Sequence, residues 1–281
     1  MIFAASNIAW PYERRFEAYE LMAQAGVSGL EIGPPLFFAD AEDPFAPDAT
    51  SVNRAMGEMQ QAGLTLVSMQ SLLYGVEGAA LFEGAEPLAR LERGLERVID
   101  LAGEIGVPNL VFGSPRQRVV PDDMEMEAAL DHAADLFARL GARAQAAGTV
   151  LAIEANPALY GTNFLTDAFS ALALVQRIDH PGIRFILDLG ERHVNEGMQD
   201  LPDLLDQAGP YLSHIHVSEP HLAPAPADAD QFATVLQSLT QAGYSGAVSI
   251  EMLAGKPDPI PVLGGALDRL TAARKLVQGT A

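Results

Sequence analysis

The chain contains no cysteine. That excludes a disulfide framework, thiolate metal ligands and a cysteine nucleophile, while saying little about compartment. Basic residues are also scarce: 17 Lys and Arg stand against 37 Asp and Glu, a formal net charge of −20. A surface this acidic repels phosphate backbones and anionic headgroups, so neither nucleic acid nor membrane is expected as a partner unless a local basic patch exists. The one candidate patch, Arg116 and Arg118 in SPRQRVV, is too small to grip a duplex. No apolar run approaches the ~18 residues of a membrane span. The N-terminus, MIFAASNIAW, lacks a basic leader region, so no signal peptide is read there and a cytoplasmic protein is expected. After the first strand-like run, SNIAWPYE has no glycine-rich phosphate turn, which argues against a doubly wound nucleotide-binding sheet.

What is present is a regular alternation. About half of the 281 residues are apolar (49%), enough for a large core. Strand-like runs occupy Ile2–Ile8, Gly29–Gly33, Leu64–Gln70, Asn109–Ser114, Thr149–Ala155, Ile183–Leu189, Leu212–Ser218 and Ala247–Met252. They are continuous rather than alternating, as parallel strands covered on both faces are. Helical periodicity fills the gaps: Leu88, Leu91, Leu95, Val98, Ala102 and Ile105 recur every three or four residues, as do Leu130, Ala133, Leu136, Phe137 and Leu140. Gly26, Gly63, Gly148 and Gly243 stand where helices return to strands. The expected fold is a single (β/α)8 TIM barrel over 1–281, a parallel eight-stranded sheet with outer helices. Longish proline-rich loops after several strands are the natural walls of a site at its C-terminal rim.

The last four strands each end in a residue able to bind a metal: VLAIE at Glu154, FILD at Asp188, SHIH at His216 and VSIE at Glu251. They are spaced by roughly one strand-plus-helix unit of about 30 residues, so all four side chains should reach the same end of the sheet. A lone carboxylate closing a strand is more often a helix cap or a solvated charge. A lone strand histidine is more often a satisfied core residue. The conjunction of four successive strand ends favours a shared divalent-metal site. The pair His214 and His216 is expected to divide, one toward the barrel interior and the other toward the helices.

At these residues the chain resembles the xylose-isomerase-like barrels, a group of sugar isomerases, epimerases and related enzymes. Their fifth to eighth strands donate Glu, Asp, His and Glu to one divalent ion. IEAN, LDLGE, HIHVSE and SIEM carry the resemblance, which covers essentially the whole chain. SNIAW, MQSLLYG and LVFGSP are similar to a bacterial subgroup described only as sugar phosphate isomerase/epimerase-like, without an assigned substrate. The resemblance implies a metal set of Glu154, Asp188, His216 and Glu251, with His214 as a supporting neighbour. Two departures concern the substrate. Epimerases of free ketoses often have a histidine three residues after the sixth-strand Asp, where this chain has Glu191, with His193 two further on. Many members have a lysine where this chain has Ser218.

Three carboxylates and an imidazole suit Mn²⁺, Mg²⁺, Co²⁺ or Zn²⁺. Such an ion would chelate a carbonyl and its neighbouring hydroxyl and stabilise an enediolate, with Glu154 and Glu251 as the acid/base pair. The expected activity is isomerisation or epimerisation of a ketose or related polyol. Trp10, Glu31, Gln70, Ser114, Asn156, Glu191, His193 and His221 are candidates for the substrate wall, with Trp10 equally readable as a packing residue. Arg118 could hold a phosphate or carboxylate. A solvent-facing Arg116 and Arg118, and hence a neutral ketose or cyclitol, is the preferred reading. The alternative activity is dehydration of a cyclitol or keto-sugar. An endonuclease-like or a non-catalytic sugar-binding barrel is remote. Assembly into a homo-oligomer is compatible with the sequence.

Overall fold

The computed structural model describes residues 1–195 and 197–279. The eight strands are β1 (Ile2–Ser6), β2 (Gly29–Ile32), β3 (Thr65–Met69), β4 (Asn109–Phe112), β5 (Val150–Glu154), β6 (Ile183–Asp188), β7 (Leu212–Val217) and β8 (Ala247–Ile250). They are hydrogen-bonded in chain order into a closed barrel, and the pairings β1–β2, β1–β8, β3–β4, β4–β5, β5–β6 and β7–β8 are parallel. With the surrounding helices this is a (β/α)8 TIM barrel. Each strand is a residue or two shorter than its apolar run, because the terminal residues leave the ladder.

By backbone proximity the chain divides into two compact units. One comprises 1–67, 188–209 and 214–281, the other 68–187 and 210–213. In the first, Ala4, Val67 and Ala247 form a buried apolar cluster. In the second, Val111, Ala152 and Ile186 do the same. Side chains two apart on a strand share a face. Ala152 therefore lies on the face of Glu154, Ile186 on that of Asp188, and Ala247 on that of Glu251. On each of these strands the apolar residue precedes the polar strand end on the same face, by two positions on β5 and β6 and by four on β8.

The helices behave as their periodicity predicts. In Ala85–Ile105 the stripe Leu91, Leu95, Val98, Ala102 and Ile105 is buried, and Gly106 at φ +76° closes the helix. Each fully buried leucine or isoleucine contributes roughly 1.5–3 kcal/mol. The four glycines expected at helix ends all have φ between +64° and +77°. In the second unit, helix Met126–Ala146 approaches its sheet through bare backbone. A Cβ on Gly182, just before β6, would collide with the carbonyl of Gly141. Gly182→Ala is therefore expected to destabilise the fold by about 1–3 kcal/mol or more. It should appear as a lower urea midpoint with an unchanged m-value. A wild-type midpoint would show that helix and strand separate without cost.

Non-glycine residues with positive φ gather just past strand ends: Ser71 after β3, Ser114 after β4, and His221 and Leu222 after β7. Backbone strain of this kind costs of order 1–3 kcal/mol per residue and concentrates at functional rims.

Candidate metal centre

In the first unit the site is built on β2, β6, β7 and β8. Asp188 is the last residue of β6 and caps the short helix Leu189–Val194 that follows. Its Oδ1 accepts from the Glu191 backbone N–H at 2.8 Å and from the Ser218 hydroxyl at 2.6 Å. Ser218 Oγ in turn accepts from the Gly190 N–H at 2.9 Å. A Cβ on Gly190 would press on Ser218 Oγ (2.8 Å) and Asp188 Oδ1 (3.0 Å), so the turn is packed around the carboxylate. Asp188 is thus a helix cap and a candidate ligand together. Ser218, where relatives were expected to carry lysine, orients it.

His214 and His216 both lie fully buried on the same face of β7, with ring centroids 5.2 Å apart. The expected division of the pair is incorrect, because strand side chains alternate and positions two apart point the same way. Both rings face Glu31 of β2. His216 Nε2 lies 3.0 and 3.1 Å from its two oxygens, and His214 Nε2 lies 3.4 Å from Oε1. Ser249 Oγ donates to Glu31 Oε2 at 2.9 Å. Glu31 is therefore not an open wall residue but a buried acceptor behind the histidines. Burial pushes its carboxyl up, yet the adjoining His216 and His214 outweigh that and hold it well below the usual carboxylate range. On its other side, His216 Nδ1 lies 3.2 Å from Oε2 of Glu251, the residue just past β8.

That sandwich tests the fit of a metal. A neutral imidazole has one N–H and can donate to only one of two flanking carboxylates. With Nε2–H given to Glu31, the Nδ1 lone pair faces Glu251, and either a proton on Nδ1 or a cation between them reconciles the two; the site therefore fits a cation. The carboxylate partner on the far nitrogen is the arrangement that fixes tautomer and aim of a metal-bound histidine.

In the second unit Glu154 ends β5. Its Oε2 accepts from Asn156 Nδ2 at 3.0 Å. In the first unit Asp188, His216 and Glu251 each present one ligand atom, and these atoms lie within 4.8 Å of one another. Glu31, His214 and His216 satisfy the same criterion as a second group, the one that backs His216.

The remaining candidates are placed as follows. Trp10 is 2% exposed and packs edge-on to Tyr19 at 6.3 Å, and Gln70 is buried just past β3. Glu191 is buried, accepting from Asn195 Nδ2 at 2.7 Å. His193 Nε2 lies 3.9 Å from Glu219 Oε2, and His221 is exposed on its left-handed turn. Ser114 and Asn156 are half-buried and Arg116 is exposed. Arg118, expected toward solvent, is instead fully buried against the backbone of β5. Sequence reasoning passed over Ser249 and Gly113. Ser249 was legible in principle, since VSIE places it on the face of Glu251.

Residues 19–273 match the xylose isomerase-like TIM barrel family, and the chain belongs to that family. No curated protein sequence matches it. Among solved structures it is similar to apo 3-keto-D-glucoside 4-epimerase YcjR from E. coli, with a TM-score of 0.78 at 18% identity, covering 98% of this chain and 99% of that one. It is also similar to D-psicose 3-epimerase from Clostridium cellulolyticum H10, with a TM-score of 0.76 at 16% identity and 99% coverage of both chains. A family 2 AP endonuclease from Brucella melitensis aligns with a TM-score of 0.70 at 20% identity, over 94% of this chain and 97% of that one. At such identities the likeness establishes the fold, and the site must argue for the chemistry.

Proposed function

We propose that the protein is a divalent-metal-dependent isomerase or epimerase of a ketose or related polyol. The observation that carries this reading is that Asp188, His216 and Glu251 each present a ligand atom within 4.8 Å of the others, with Glu154, the last residue of the preceding strand β5, assigned here as the fourth ligand. Their hard oxygen and imidazole donors suit Mn²⁺, Mg²⁺, Co²⁺ or Zn²⁺. When bound, such an ion supplies Lewis acidity toward a sugar carbonyl and its neighbouring hydroxyl. Two of the solved structures the chain resembles are named as sugar epimerases, which agrees with this reading.

The chain's own residues divide the remaining work. Glu154 and Glu251 are the carboxylates able to exchange a proton with the substrate carbon, one removing it and the other returning it. Asp188, capped and hydrogen-bonded through Oδ1, and His216, braced by Glu31, act as ligands only.

A neutral sugar or cyclitol fits better than a phosphorylated one. Arg116 is exposed, and Arg118 directs its Nη donors at Glu154 O and Asn156 Oδ1. Glu31 stands behind His216 and His214, and Arg192 is already paired with Glu191, so neither pair offers a phosphate a free cation. The net charge of −20 speaks against a nucleic-acid substrate.

The direct test is incubation of the Mn²⁺-loaded protein with a panel of neutral ketoses and keto-cyclitols in D₂O. Deuterium at the carbon next to the carbonyl, with product mass otherwise unchanged, supports the proposal. A product lighter by one water assigns a dehydratase instead, and no exchange on any member rejects turnover of this class. Metal dependence has its own expected outcome. Mn²⁺ at about 100 times its Kd should stabilise the native protein by about 2.7 kcal/mol, raising Tm, with EDTA reversing the shift. An unchanged Tm would remove the metal from the proposal.

A further inference from the structure

Glu154 is surrounded, within its own unit, by residues that restrict where its carboxylate can go. Gly113, one residue past β4, leaves no room: a Cβ there would collide with Glu154 Oε2 and stand 3.3 Å from Asn156 Oδ1. Gly113 does not have a left-handed φ, so the backbone would accept alanine and the restriction is one of space alone. On another side, Asn156 Nδ2 donates to Glu154 Oε2 at 3.0 Å.

A carboxamide can present either its oxygen or its amine, and Arg118 decides which. Its Nη2 donates to Asn156 Oδ1 at 2.8 Å and its Nη1 to the Glu154 carbonyl at 2.8 Å. A guanidinium only donates, so the amide oxygen must face Arg118 and the amine must face Glu154. One side chain therefore holds both the backbone of Glu154 and the group that grips its carboxylate.

Arg118 is an unusual residue to bury completely. It is 0% exposed. Burial pushes its pKa down to about 10, against the opposing pull of Glu154. Among the described residues its Nε has no hydrogen-bond partner. The segment that carries it is pinned to the loop after β5. Thr162 Oγ1 donates to the Arg118 carbonyl at 3.0 Å. Asn163 accepts from Val120 N at 2.7 Å and donates to Val120 O at 2.9 Å. A charged group kept in the interior with one donor unsatisfied, and anchored there, is a poor device for stability alone.

We infer that Arg118, Asn156 and Gly113 form a positioning relay that locks the Glu154 carboxylate in the orientation the metal and the substrate proton require. Arg118 and Asn156 act through Glu154 rather than on the sugar. This rests on the proposed metal site and specifies how that site is held. A ligand already fixed in place loses little freedom when the ion arrives, and a base must be held within about 0.5 Å of its working position.

The test compares wild type with Arg118→Met, Asn156→Ser, Gly113→Ala and Arg118→Lys, using the full metal-free chain. Titration calorimetry with Mn²⁺ alone should show Kd raised about 10–100-fold in the first three, the usual effect of losing a group that supports a ligand. Arg118→Lys, which keeps the charge and one of the two donors, should recover part of that loss. Asn156 is half-buried, so Asn156→Ser should fold even if Arg118→Met does not. Crystal structures of the metal-free variants give a reading independent of metal, in which the Glu154 carboxylate should have rotated away from its wild-type position. Variants that melt cooperatively, bind Mn²⁺ within twofold of wild type and leave Glu154 unmoved would overturn the relay. If wild type itself binds no Mn²⁺, the metal reading fails. The position of Glu154 in Asn156→Ser then decides the relay alone, a displaced carboxylate upholding it and an unmoved one rejecting it.

Discussion

Replacing Glu154 or Glu251 by glutamine should cut turnover about 10²–10⁴-fold, the range associated with loss of a general acid or base. Mn²⁺ should still bind, because the glutamine carbonyl can occupy a ligand position. What it cannot do is take up and release a proton near neutral pH. The two effects separate in one experiment: metal content of each purified variant beside the rate of solvent-deuterium entry next to the substrate carbonyl. Loss of exchange with metal retained in both variants is the outcome the proposed roles require. Exchange at the wild-type rate in either variant would remove that residue from the acid/base pair. The environments of the two carboxylates differ, with Asn156 Nδ2 on Glu154 and His216 Nδ1 beside Glu251. A variant that exchanges deuterium without completing conversion would therefore identify which of them delivers the second proton.

The second large effect concerns Glu31. It is fully buried, touches both histidines of β7 and accepts from Ser249. Glu31→Gln keeps the volume and one acceptor oxygen, but it removes the negative charge and sets an amine donor within about 3 Å of His216 Nε2, so the hold on its tautomer is weakened. Mn²⁺ affinity should fall about 10–100-fold, although Glu31 is not one of the four proposed ligands. Glu31→Ala goes further, leaving a cavity beside two buried imidazoles and a hydroxyl. The loss of stability should be at least about 1–3 kcal/mol, as expected when buried donors are left without their acceptor. Calorimetric Kd for the first variant and urea unfolding of the metal-free second variant check the two statements. Unchanged Mn²⁺ affinity in Glu31→Gln would mean that packing alone aims His216.

The strands were readable because a parallel strand covered on both faces is apolar throughout, so IRFILD or VLAIE announces itself without any knowledge of its neighbours. The candidate ligands could be proposed because each sits at or next to the end of such a run, and a barrel built in chain order carries successive strand ends to one rim. The same local rules, applied without slip, would have placed His214 and His216 together, since a period of two admits no division between them.

Other features had no local signal. Glu31 sits in GLEIG like any strand-end carboxylate, and nothing in that segment shows that His214, His216 and Ser249 converge on it. Arg118 sits in SPRQRVV, a polar loop whose default reading is solvent. Its burial follows from Thr162 and Asn163, more than forty residues onward, holding residues 118–120 against the loop after β5.

The sequence by itself determined the barrel, the order of its strands and the four residues at their ends, because periodicity and chain order are local properties. Only the tertiary structure decided which side chains stand behind those four. Glu31 behind His216, Ser218 on Asp188, and Arg118 on Asn156 and the Glu154 backbone are pairings between distant segments. Their hydrogen bonds exist only once closure of the sheet has set the distance and direction between donor and acceptor.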